Sequence, residues 1–143
     1  MRHRITTLLG YALAAMLALM TLDVLWGVIT RYLLGNQASW TEELARFLLI
    51  WIGMLGAAYA SGQRMHLSID LLANKPERLI TAVIVLFVFA TMVVGGTNLM
   101  RITAQLGQRS PALGLPMYLV YAVVPLAGVL IIYYRLTAPK PVA

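Results

Sequence analysis

Apolar and polar positions fall into long blocks along this chain. Apolar residues dominate over about 5–34, 44–62, 79–100 and 115–136, and short polar connections separate the blocks. Each block approaches or exceeds the roughly 20 residues an α-helix needs to cross the hydrocarbon core of a bilayer. The pattern predicts an all-α integral membrane protein with four transmembrane helices, one domain filling residues 1–143. No internal repeat or low-complexity segment interrupts it. The first block is the longest. A continuous helix over 5–34 would measure about 45 Å at 1.5 Å per residue. That exceeds a core of about 30 Å, so a long tilted or protruding first helix is expected. Arg2 and Arg4 ahead of it resemble the start of a signal peptide. The apolar stretch runs well past the roughly 7–15 residues of a secretory core, and Ala12 and Ala14 make a weak cleavage site, which reads as an uncleaved signal anchor.

Composition agrees. Of 143 residues, 61% are hydrophobic and 11% charged, against about 25% charged in soluble domains; the mean hydropathy is +0.82. There are no cysteines, which removes disulfides, thiolate metal sites and thiol nucleophiles. The net charge of +6 does not signal nucleic acid, because the basic residues stand singly at the ends of apolar blocks, where they set topology. Arg2, Arg4, Arg64, Lys75, Arg78, Arg135 and Lys140 lie on the side of the N-terminus; Arg31, Arg46, Arg101 and Arg109 lie on the other. Seven against four predicts both termini in the cytoplasm. Trp26, Trp40, Tyr118 and Tyr134 sit near block ends, as residues of an interfacial aromatic belt do.

The segment 39–72 carries more polar design than a bare membrane helix requires. Ser39-Trp40-Thr41-Glu42 has the form of a capping box, in which the first hydroxyl and the later carboxylate each take the other residue's amide. Glu42 and Glu43 suit the positive end of a helix. Arg46 follows Glu42 by four residues, on the same face and in the favoured order. This reads as a well-made helix start, as a charged docking patch, or as both. Paired acids without a nucleophile, third group or metal ligand nearby do not read as a catalytic site. Gly53 with Ala57 and Gly56 with Ala60 are small-xxx-small pairs that let helix backbones approach in lipid. The partner helix belongs either to this chain or to another subunit.

Asp23 lies inside the first block, where a carboxylate is costly and a functional role is the default hypothesis. It is a proton or cation site, a group paired on another helix, or a residue near the interface of an offset helix. Arg31 is about 11 Å of helix rise away, far for a direct contact. His66 and Asp70 follow the second block. A metal site needs several converging ligands, and the other histidine, His3, also lies outside every block, so no metal or haem cofactor is expected. Asn74-Lys75-Pro76-Glu77 marks the start of the third helix. Ser110-Pro111-Ala112-Leu113-Gly114-Leu115-Pro116 reads as a rigid turn, and Pro125 is expected to kink the fourth helix.

Taken together, these residues resemble the small membrane subunit of tripartite ATP-independent periplasmic (TRAP) transporters, the DctQ-type family. The resemblance rests on Arg31-Tyr32, SWTEELARFLLIWIGMLGAAYA, His66 with Asp70, and SPALGLPMYLVYAVVP, in an order and spacing that cover about three-quarters of the chain. One departure is Gly27, where members often carry Asn. The resemblance implies a bacterial inner-membrane protein that transports nothing alone. Such systems import organic acids, often carboxylates or sialic acids, with a sodium gradient. A soluble periplasmic protein captures the solute, and a large membrane subunit moves it in elevator fashion. The small subunit stands beside it as a fixed scaffold. The implied partners are that large subunit, the binding protein and membrane lipids. Trp40, Glu42, Glu43 and Arg46 would lie near the periplasmic surface, and with Arg31, Gly53, Gly56, His66 and Asp70 they form the expected contact set. The competing reading is a stand-alone homo-oligomeric exporter with Asp23 as its proton-coupling carboxylate; it leaves the 39–46 segment unexplained.

Overall fold

A computed structural model describes residues 2–36, 38–63 and 77–137. Four helical stretches in it are long and apolar enough to cross a membrane: His3–Leu33, Ser39–Gly62, Leu79–Gln105 and Met117–Leu136. The first is one helix, α1 (Arg2–Leu33), about 48 Å long at 1.5 Å per residue. The second is α2 (Ser39–Gly62). The third comprises α3 (Glu77–Val88), a π-helical stretch (Phe89–Gly95) and α4 (Gly96–Gln105). The fourth comprises α5 (Met117–Tyr121) and α6 (Val123–Leu136). The second and third spans outrun their apolar blocks furthest. α2 begins at Ser39 where hydropathy begins at 44, and the third continues to Gln105 where hydropathy ends near 100. Hydropathy marks the part of a helix that lipid surrounds; backbone hydrogen bonding carries the helix on through its polar ends.

The helix starts and breaks have local causes. The capping box expected at Ser39 does not form. Ala38, with extended backbone (φ −69°, ψ 109°), precedes the first turn, and no side chain caps it. Its carbonyl accepts from the Thr41 amide at 3.2 Å and from Thr41 Oγ1 at 2.8 Å. Ser39 is thus already helical, and a first-turn hydroxyl no longer has the extended geometry from which a cap reaches a later amide. In the fourth span the helix is interrupted at Ala122, between α5 and α6. Pro125 stands four residues after Tyr121. It has no amide to donate to the Tyr121 carbonyl, and its ring crowds that carbonyl.

Buried positions on α1 are Leu9, Asp23, Gly27 and Thr30, with Leu13, Met16 and Met20 half-buried between them. They repeat at alternating steps of four and three, the seam by which one helix packs along another. The partner is α2, which runs the opposite way: Gly10 lies against the Tyr59 ring and Gly27 against Thr41. On its other side α2 packs against α6, and α6 against the third span. Leu9, Leu55, Ala58, Val123 and Tyr134 form the buried cluster where α1, α2 and α6 meet. Two glycines let the third and fourth spans touch: a Cβ on Gly128 would fall 2.8 Å from Met92 Cβ, and one on Gly96 would fall 2.9 Å from Pro125 Cδ. Thr6 and Tyr134 share a hydrogen bond between hydroxyls at 3.2 Å. The start of α1 and the end of α6 therefore lie at the same end of the bundle, together with the end of α2.

Candidate subunit-docking site

At the other end of the bundle α2 begins, and one turn of helix sends its two acids in different directions. Glu43 is buried. Its Oε2 accepts from the backbone amides of Ala112 (2.9 Å) and Leu113 (2.8 Å). The loop that supplies them is closed on itself. The Ser110 amide donates to the Leu115 carbonyl at 2.9 Å and the Gly114 amide to the Ser110 carbonyl at 3.0 Å. Ser110 Oγ accepts from the Leu115 amide at 3.1 Å, and Gly114 supplies the left-handed residue (φ +65°). A carboxylate taking two amides makes a strong, directional clasp. Glu43 therefore joins the second span to the connection between the third and fourth. The sequence grouped it with Glu42 as a docking pair; its side chain is instead turned inward and occupied within the chain.

Glu42 and Arg46 are both exposed, and the face they begin continues down α2. Leu49, Gly53, Ala57 and Ala60 are exposed at successive steps of three or four residues. Nothing in the described chain stands within 4 Å of where a Cβ would sit on Gly53 or Gly56. Neither small-xxx-small pair is therefore used to seat a neighbouring helix among the described residues. The glycines that do so are Gly10, Gly27, Gly62, Gly96 and Gly128. Single small residues opposite a tyrosine, threonine or proline carry no pair motif, so spacing does not reveal them. Trp40 is 40% exposed at the head of α2, and Arg31 is exposed in the last turn of α1. Expected contact residues His66 and Asp70 lie outside the described residues.

Asp23 is 7% exposed on the α1 face turned to α2, and neither carboxylate oxygen has a hydrogen-bond partner among the described residues. Arg31 is on the surface and does not pair with it. No group of three or more His, Cys, Asp or Glu able to hold a metal ion occurs among the described residues.

Fold and surface together define a polytopic membrane subunit in which Glu43 ties a helix to a loop, and in which, among the described residues, the small-residue face of α2 is exposed along with the apolar outer faces of α1 and the third span. The chain belongs to the DctQ component family of tripartite ATP-independent periplasmic transporters, whose family model matches residues 20–138. It is 30% identical over 135 residues to a provisionally named TRAP transporter small permease protein of Haemophilus influenzae, covering 90% of this chain and 83% of that one. It is 33% identical over 145 residues to the ectoine TRAP transporter small permease protein TeaB of Halomonas elongata, covering 95% and 75%. It is 33% identical over 129 residues to the isethionate TRAP transporter permease protein DctMQ of Oleidesulfovibrio alaskensis. That match covers 82% of this chain but 20% of the relative, which thus holds the corresponding region as a minor part of a much longer polypeptide. A multi-pass protein of the inner membrane follows from family and helices together.

Proposed function

We propose that this chain is the non-catalytic, fixed small subunit of a sodium-driven TRAP importer of organic acids, bracing a larger elevator-type membrane subunit. The observation that carries this reading is the uncovered α2 face, running from Glu42 and Arg46 through Leu49 and Gly53 to Ala60. Small residues in lipid favour close helix contact because van der Waals packing, rather than a hydrophobic force, drives association there. The charged pair at its head fixes register against a partner. Occurrence of the same region inside one long permease relative supports a large membrane partner. The relatives named for ectoine and for isethionate share this region, so the reading leaves solute choice to other chains. The periplasmic binding protein is the third partner, meeting the surface formed by Trp40, Glu42, Arg46 and the 110–116 loop. Both termini face the cytoplasm.

The test is recovery of the large membrane protein with this chain from its native membrane. Glu42→Ala with Arg46→Ala, or Gly53→Leu with Ala57→Leu, is expected to cut that recovery and solute uptake at least about tenfold, the equivalent of 1.4 kcal/mol, while this chain still accumulates. Undiminished recovery and uptake in both variants would sink the docking face.

A further inference from the structure

The opposite end of the bundle holds an open crevice of about 880 Å³ between the first turns of α1 and the last turn of α2. His3, Thr7 and Tyr11 line one wall; Tyr59 and Gln63 line the other. Gly10 forms part of the floor: a Cβ there would stand 3.3 Å from the Tyr59 ring, so the glycine is what lets that ring lie on the α1 backbone. Arg4 is exposed, three residues before Thr7 and seven before Tyr11, on the same side of α1.

We propose that this crevice binds the phosphate head group of an anionic phospholipid. Among the described residues the lining has donors to spare and no acid. Gln63 Nε2 donates to the Tyr59 hydroxyl, which leaves the Tyr59 O–H and the second Gln63 N–H free to donate. Thr7 Oγ1 spends its hydrogen on the His3 carbonyl at 2.9 Å and lies 3.5 Å from His3 Nδ1, so it shapes the wall and adds no donor. The Tyr11 hydroxyl and the His3 ring complete the set of groups that a phosphate diester can meet. Charge favours the same ligand. By sequence, seven Lys and Arg residues stand at this end of the spans, against Asp70 and Glu77, and Arg4 and Arg135 are exposed there. Depth favours a lipid over a free anion. Residues 3–11 are the start of a membrane span, so the crevice stands at the level where head groups meet the span. Tyrosines prefer that level, and basic pockets between helices take lipid phosphates there. Apolar residues begin one turn further in, with Leu8 72% exposed, where acyl chains would lie. The inference does not depend on which solute, or which transporter, the chain serves.

The experiment uses the full chain, delipidated in detergent, with native mass spectrometry for retained lipid and thermal unfolding for stabilisation. Phosphatidylglycerol, phosphatidylethanolamine and inorganic phosphate are added separately. Phosphatidylglycerol is expected to be retained at least about tenfold better than phosphatidylethanolamine and to raise the unfolding temperature, with inorganic phosphate inert. Arg4→Gln with Tyr11→Phe, or Thr7→Trp to fill the crevice, should each lower that retention about tenfold; Leu17→Trp, at an exposed position one span-half away, should not. Equal retention of the two lipids by the unaltered chain overturns the proposal, and that comparison needs no variant to fold. Full stabilisation by inorganic phosphate alone, or retention unchanged in all variants, overturns it as well.

Discussion

Adjacent acids that read as one feature in sequence do different things in three dimensions. Glu42 and Glu43 are about 100° apart around the α2 axis, a consequence of 3.6 residues per turn. That angle sends Glu42 outward and Glu43 into the junction with the 110–116 loop. Removing the Glu43 carboxylate leaves two amides without their acceptor. Glu43→Ala is therefore expected to destabilise the chain by about 1–3 kcal/mol, read by denaturation in detergent, and to make the loop cleavable by added protease. Glu43→Gln keeps one acceptor oxygen and is expected to lose less. If the two variants behave alike and the loop stays resistant, the clasp is not what holds it. Asp23 gives the opposite expectation. A charged side chain without a partner is costly at membrane depth, so Asp23→Asn should unfold at the same temperature as the parent or higher, with uptake retained. Uptake abolished in an Asn variant that still assembles would make Asp23 a working carboxylate of the importer and overturn its reading as structural.

At the scale of elements, the four spans were legible because hydrocarbon imposes a length and a composition on anything that crosses it. The heptad-like seam of α1, from Leu9 through Asp23 to Thr30, was legible in principle too, since it repeats at a helical period. The π-helical stretch Phe89–Gly95 was not. It sits where Gly96 and Gly128 bring the third and fourth spans into contact, and the local signal, small-xxx-small spacing, points instead to Gly53 and Gly56. A large residue at each pair should separate them. Gly128→Val is expected to cost about 1–3 kcal/mol through overpacking against Met92, whereas Gly53→Val leaves the unfolding midpoint of the isolated chain within about 0.5 kcal/mol. Equal losses in the two would mean that the small face of α2 is packed within the chain after all.

Across the whole molecule, α2 lies between α1 and α6, and α6 reaches the third span. With four crossings the two ends of the chain share one side. Because the chain has no cysteine, single cysteines can report this directly. Cysteines replacing His3 and Thr137 are expected to react with an impermeant thiol reagent only from the cytoplasm, and one replacing Gln108 only from the periplasm. Labelling of His3Cys and Thr137Cys from opposite sides would rule out the even number of crossings; both labelled from the periplasm would invert the bundle.

The sequence by itself determined that this chain is a four-span membrane protein, and its motifs were enough to resemble the right family. Span number, span length and helix-end chemistry depend on nearby residues and the surrounding lipid, and such information is written along the chain. Only the tertiary structure decided which of these side chains turn inward and which face outward. Glu43 meets amides 69 and 70 residues away, and Gly128 is judged by Met92 on another span. Such pairings depend on how helices rotate and dock, and a single sequence carries no record of the rotation. The face from Glu42 to Ala60 became recognisable as an outward surface only once every other face of α2 had been assigned a neighbour.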